Sequence, residues 1–183
     1  MFAERKIETE IVEGCLRNDR KSQKQLYYRY CNAMFTVALR ILKNEDDAND
    51  ALQDAFIQIF QNIKSFRGES TIGAWIKTIV IRSALKKLKN IVFHEEIDEK
   101  LHNTMGSENH ILSGEYIEKM IMSLPAGYRT VFLLVEVEGY AHKEVAEILN
   151  ISEGTSKSQL FFAKKHLKSL LENLVHSDYE RRI

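Results

Sequence analysis

The chain is short of the residues that interrupt helices, with one proline and eight glycines among its 183 residues. Proline removes a backbone donor and glycine costs conformational entropy inside a helix, so their scarcity favours long helices. Cysteine is almost absent too. Cys15 and Cys31 form no CxxC pair and have no histidine cluster beside them, which argues against a zinc site or a disulfide framework and leaves two buried cytosolic thiols as the plain expectation. No run of about 18 apolar residues occurs, so no direct membrane insertion is expected. Acids in MFAERKIETEIVEG interrupt the apolar stretch that a secretory leader needs, and the expected location is the cytoplasm. There is no P-loop, no GxGxxG and no nucleophile motif. The histidines at 94, 102, 110, 142, 166 and 176 lack acids at ligand spacing. No catalytic residue, metal or cofactor is therefore expected, and the chain does not read as an enzyme.

Net charge is missing as well, since 26 basic residues balance 26 acidic ones. That balance hides a sorting along the chain. From Lys64 to Lys89 seven bases (Lys64, Arg67, Lys77, Arg82, Lys86, Lys87, Lys89) face the single acid Glu69. From Phe93 to Glu115 six acids (Glu95, Glu96, Asp98, Glu99, Glu108, Glu115) face Lys100 alone. A concentrated basic segment is the electrostatic footprint of a polyanion binder even where the whole chain is neutral.

What is abundant is helical periodicity. Leu26, Tyr27, Tyr30, Met34, Val37, Ala38 and Ile41 recur at three- and four-residue intervals, as do Ala48, Leu52, Ala55, Phe56, Ile59 and Ile63. Asn44 is a natural N-cap for the second run, with Glu45, Asp46 and Asp47 facing the helix dipole. FRGEST breaks the pattern before a third helix over about 71–89. Residues 93–113 show no sustained period and read as a flexible acidic linker. A second helical unit follows, with helices over about 113–124, 126–137, 141–149 and 152–171 and a turn at Glu138-Gly139-Tyr140. The expected fold is all-α, two small helical domains joined by the linker, the second ending in a helix-turn-helix.

The helix-turn-helix is the strongest local signal. In AHKEVAEILNISEGTSKSQLFFAKKHLKSLL, Val145, Ile148 and Leu149 give one short helix an apolar face, Asn150 suits a left-handed C-terminal position and Ser152 can cap the next helix. Ala141 is a flaw, because it cannot cap the first helix. Leu160, Ala163, Leu167, Leu170 and Leu171 form the expected core stripe of the last helix. Lys157, Phe161, Lys164 and Lys168 form a second stripe about 100° round from it. Such a stripe suits major-groove docking, with lysines on phosphates and other side chains on base edges. Its bland alternative is a solvated amphipathic face, although Phe161 and Phe162 are costly to leave in water unless one packs against the preceding helices.

Two further surfaces stand out. Trp75, Arg82, Lys86 and Lys89 share one stripe of the third helix, between Ile76, Ile79 and Val80 on one side and Ile81, Leu85 and Leu88 on the other. A cationic aromatic ridge suits unstacked single strands; the alternative for Trp75 alone is a core residue. On the second helix, Asp46, Asp50, Gln53, Asp54 and Gln61 share a polar face that could dock a basic partner, or could serve only the helix dipole.

On these residues the chain resembles bacterial RNA polymerase sigma factors of the extracytoplasmic-function (ECF) type. DANDALQDAFIQIFQNI is similar to the core-binding helix of sigma region two, and the resemblance implies core polymerase contacts at Asp50, Gln53, Asp54 and Phe56. FRGESTIGAWIKTIVIRSALKKLK is similar to the segment that opens and reads the minus-ten element, which implies Phe66, Arg67, Trp75, Arg82, Lys86 and Lys89 there. LPAGYRTVFLLVEVEGYAHKEVAEILNISEGTSKSQL is similar to region four, with Leu124, Pro125, Arg129, Val131, Phe132, Glu138, Glu144, Ala146, Gly154, Thr155, Lys157 and Ser158 at matching positions. Minus-thirty-five contacts are implied for Thr155, Lys157, Ser158, Gln159, Phe161, Phe162 and Lys164. The implied domains are region two over 8–92, a linker over 93–112 and region four over 113–176. The implied partners are core RNA polymerase, promoter DNA and an anti-sigma factor, with no cofactor. Arg82 stands where many relatives have asparagine, Lys86 where aspartate is frequent and Phe162 where an arginine contacts DNA, so promoter preference does not carry over. The competing readings are a dimeric helix-turn-helix regulator, which would retard duplex DNA without polymerase, and a helical adaptor, which would retard no DNA.

Overall fold

A computed structural model of the chain describes residues 2–92 and 114–180, with side-chain surroundings for 7–88 and 114–172. All regular elements among the described residues are helical. The chain divides into two compact units, one carried by residues 2–92 and the other by 114–180. The expected linker, 93–112, lies outside the described residues.

The first unit holds α1 (Phe2–Leu16), α2 (Arg20–Leu42), α3 (Glu45–Asn62) and α4 (Ile72–Val92). Its connections are set by local chemistry. Asp19 caps α2 by accepting hydrogen bonds from the Ser22 amide at 2.9 Å and the Ser22 hydroxyl at 2.6 Å. Those bonds pull its carboxyl below the usual range. Lys43 ends α2 in the left-handed region at φ 60°, and Asn44 caps α3 by accepting from the Asp47 amide at 2.9 Å. Thr71 caps α4 through the Ala74 amide at 3.2 Å.

Helices α2, α3 and α4 pack on one another, and α1 lies on α2. Ala38, Ala48, Ala51, Ala55 and Ala84 are fully buried, so backbones approach closely, and Leu26, Ile41, Ile59, Ile76 and Ile81 fill the space between them. Ser83 donates to the Ala51 carbonyl at 2.9 Å, an interior hydrogen bond between α4 and α3. Helix α1 was not among the expected elements, although Ile11 and Cys15 bury a stripe at a spacing of four. Burial pushes the Cys15 thiol up. Cys31 is only half-buried, which corrects the expectation of two buried thiols.

The second unit holds α5 (Gly114–Ser123), α6 (Ala126–Phe132), α7 (His142–Leu149) and α8 (Glu153–Glu180). A wider π turn, Leu133–Val137, continues α6. Arg129 is buried and donates to the Leu124 carbonyl at 2.8 Å, tying α6 to the end of α5. Desolvation lowers its pKa to about 10. Gly139 turns the chain at φ 77°, where an L side chain is strained. Helix α8 runs nine residues past its expected end at Leu171. Its core stripe also fades earlier than expected: Leu160 and Ala163 are buried, Leu167 and Leu170 half-buried, and Leu171 exposed.

Candidate nucleic-acid interface

The second unit has the geometry of a helix-turn-helix. Asn150 closes α7 in the left-handed region at φ 55°, ψ 48°, and its amide bonds the Ala146 carbonyl. Ser152 caps α8 by accepting from the Thr155 amide at 2.9 Å. Ala141 offers no acceptor, but Glu144 reaches back to accept from the Ala141 amide at 2.7 Å, so half of a capping box survives. A contact that the sequence reading missed joins the two helices: His142 Nδ1 lies 2.8 Å from the hydroxyl of Ser156, which is fully buried. No hydrophobic period reveals such a polar pair.

On α8 the expected site residues separate. Lys157, Ser158, Phe161, Phe162 and Lys164 are exposed. Thr155 is half-buried and spends its hydroxyl on Ser152, 2.8 Å away. Gln159 is half-buried with its amide against Gly127 of α6. Phe162 stacks on Tyr128, ring centroids 6.0 Å apart and planes 22° apart, and Phe161 meets Phe162 edge-on at 5.5 Å. Each of three lysines holds an acid: Lys157 to Glu153 at 2.7 Å, Lys164 to Glu136 at 2.8 Å, and Lys168 to Glu172 at 3.7 Å. Lys157 keeps the Glu153 carboxyl below its ordinary range.

In the first unit Trp75 is half-buried, its ring 5.6 Å from that of Phe66, so it is a partly open platform rather than a core residue. Arg67, Arg82 and Lys86 are exposed. The last two lie on the Trp75 side of α4, two and three turns along. Lys89 falls on α4, outside the residues whose side chains are described. The ridge faces away from one broad buried surface that includes Ile76, Val80, Ile81, Ala84 and Leu85, not out of a gap between two separate ones.

The acidic face of α3 is exposed at Asp46, Asp50, Gln53, Asp54 and Gln61. Phe56 is buried, 4.8 Å edge-on from Tyr27, and so positions the helix instead of facing outward. The residue missed here is Ile57, 56% exposed in the middle of that polar face. Its spacing of three, four and seven residues from Asp54, Gln53, Gln61 and Asp50 was the available signal. Among the described residues no group of histidine, cysteine and acids is arranged to hold a metal, and no helix is long and apolar enough to cross a membrane.

Residues 26–91 match the family described as Sigma-70 region 2, and residues 114–167 match Sigma-70, region 4. The chain is 26% identical over 165 residues to the ECF RNA polymerase sigma factor SigM of Mycobacterium tuberculosis, covering 90% of this chain and 84% of that protein. It is 27% identical over 191 residues to the ECF RNA polymerase sigma-E factor of Haemophilus influenzae, covering 95% and 100%. Among solved structures, CnrH in complex with the cytosolic domain of CnrY is similar with a TM-score of 0.54 at 17% identity, over 91% of this chain and 97% of that one. The sigma factor RpoE from Bartonella quintana, in complex with the anti-sigma factor NepR, has a TM-score of 0.54 at 24% identity, over 81% and 96%.

Proposed function

The chain belongs to the sigma-70 family of RNA polymerase sigma factors, as one of the ECF type, and we propose from that membership how its surfaces divide the work of starting transcription. It is a sigma factor that directs promoter recognition and transcription initiation. The protein acts in the cytoplasm and by binding alone, with no cofactor.

Region two, residues 8–92, takes up the polymerase core through the outer face of α3. Asp50, Gln53 and Asp54 supply charge and hydrogen bonds, and Ile57 an apolar centre. The Phe66–Trp75 pair receives unstacked bases of the minus-ten strand, while Arg67, Arg82, Lys86 and Lys89 neutralise its phosphates. Holding bases out of the stack offsets an unpairing cost of about a few kcal/mol, which is how binding energy opens DNA without a reaction. Region four, residues 113–176, lays α8 in the major groove of the minus-thirty-five element, with Lys157 and Lys164 on phosphates. An anti-sigma protein is the expected inhibitor, since both structural neighbours were solved with such a partner or a cytosolic fragment on them.

The observation that carries this division is the half-open Phe66–Trp75 pair on the cationic side of α4, a feature that a duplex-only regulator does not need. A gel-shift experiment with promoter DNA, with and without core polymerase, tests it. Retardation chiefly in the presence of core is expected. Equal retardation of duplex DNA without core would favour a dimeric regulator.

A further inference from the structure

Ser156, Leu160 and Ala163 define the inward side of α8. At about 100° per residue the opposite side carries Gly154, Ser158, Phe161 and Lys165, all of them exposed. The outermost side chain of any size that is not cationic is therefore an aromatic hydrocarbon. Phe161 is 63% exposed and Phe162 47%. Neither ring is loosely placed, because Phe162 stacks on Tyr128 and Phe161 sets its edge against Phe162.

The planar readers of base edges, guanidinium and side-chain amide, are missing from this face, whose polar groups are lysines and the Ser158 hydroxyl. Arginine or lysine reads guanine, and asparagine or glutamine reads adenine, the planar groups through paired hydrogen bonds of fixed geometry. No arginine or asparagine occurs from Glu153 to Lys168. The only side-chain amide in that stretch, Gln159, lies against Gly127. What phenylalanine can read in the major groove is the 5-methyl group of thymine, the one apolar feature that the groove displays. The surrounding charge fits a polyanion better than an apolar protein partner: Lys157, Lys164, Lys165 and Lys168 flank the rings. The acids that hold three of them are exposed partners, of a kind that exchanges readily in water.

We infer that Phe161, extended by Phe162 on its Tyr128 support, recognises thymine methyl groups in the minus-thirty-five duplex. The inference rests on α8 being the major-groove helix and adds what that helix reads.

The test uses a duplex library with about one helical turn of randomised sequence, about 10 bp. It is made once with thymidine and once with deoxyuridine, which pairs identically and lacks only the methyl. The full chain on core polymerase selects from both, and the recovered duplexes are titrated. Selection should enrich thymines, uridine should weaken binding about fourfold per contacted methyl, and Phe161→Ala should bind both forms alike. Phe161→Leu should keep part of the discrimination, which separates apolar reading from a general loss of fold. Equal affinity for the thymidine and uridine forms of a selected duplex overturns the inference, as does a uridine penalty that survives in Phe161→Ala. Absence of any enrichment overturns the groove reading of α8 itself, and is distinguishable because core binding persists.

Discussion

Lys87 on α4 reaches α3 and sets its ammonium 2.8 Å from Asp50 Oδ2 and 3.6 Å from Asp47 Oδ1. The hydrogen bond to Asp50 is the main reason that its pKa lies above the ordinary lysine value. One lysine of the basic segment is thereby turned away from the ridge and spent on the acidic face, where it fastens α4 to α3 beside the buried Ser83–Ala51 bond.

This clamp sharpens the test of the polymerase face. Asp50→Ala with Asp54→Ala should weaken binding to core polymerase while leaving helix content unchanged, since both side chains are exposed. The control is Lys87→Met, which loses the Asp50 ion pair together with the longer one to Asp47, exposed interactions of about 0–1 kcal/mol each, and leaves the acids. It should bind core as tightly as the parent or more tightly, because Asp50 no longer has a lysine to give up. An equal loss in both variants, read by fluorescence titration, would mean that the acids matter only through Lys87. The clamp's contribution to stability should persist below the unfolded lysine pKa, about 10.4, and fade as pH rises through the higher folded value.

What could be read from sequence was what neighbouring residues decide. The Asn44 cap, the left-handed Asn150 and the Ser152 cap lie where local chemistry put them: the two N-caps need only a side-chain oxygen and a backbone amide three residues on, and Asn150 only a residue tolerant of positive φ whose amide reaches back to the Ala146 carbonyl. Buried stripes on α2 and α3 were equally legible. Side-chain direction decided by another helix was not. Gln159 has the chemistry of a base reader and turns to α6, where a glycine leaves room for it. Phe56 matches a contact motif and is buried under Tyr27. Helix α1 gave too short a stripe, and the sequence from Glu172 to Glu180 holds no sustained apolar period to announce the far end of α8.

The start of α4 depends on a three-helix contact that predicts its own weak point. The Tyr30 hydroxyl donates to Glu8 Oε1 at 2.8 Å, and a methyl on Gly73 would come within 2.9 Å of the Tyr30 ring. Gly73→Ala should therefore cost about 1–3 kcal/mol in denaturant unfolding, the usual range for forced overpacking. Burial, with Glu8 adding to it, raises the Tyr30 phenol to about 12. That contribution is present below pH about 10, where the unfolded phenol titrates, and is lost as pH rises through the folded value. Ultraviolet titration of the variant should show Tyr30 ionising at lower pH. An unchanged titration and stability would mean that the ring accommodates the methyl without releasing Glu8.

His142 and Ser156 should behave as one unit. Their hydrogen bond is a polar link between the two helices of the helix-turn-helix, and Ser156 is fully buried. Ser156→Ala should destabilise the protein by about 1 kcal/mol. A double-mutant cycle with His142→Ala should return a coupling of about 0.5 kcal/mol or more. Additive losses would show that the two side chains are neighbours without an energetic bond.

The lysine pairs on α8 make the last prediction, concerning how promoter binding depends on salt. A lysine that neutralises a phosphate releases condensed counterions, so Lys157→Ala and Lys164→Ala should each lower promoter affinity of the polymerase-bound chain and flatten the log–log salt slope by about one unit. In the free protein, however, Lys157 holds Glu153 and Lys164 holds Glu136, and either lysine must leave its acid to reach a phosphate. Glu153→Gln and Glu136→Gln should therefore act in the opposite direction, tightening promoter binding at low salt. The gain should fade as ionic strength rises and the Debye length falls to about 8 Å. Neither change touches the aromatic face, so the ranking of promoter sequences should stay as it is while affinity moves. A reordered ranking would make these lysines base readers, and an unchanged slope in the alanine variants would remove them from the interface altogether.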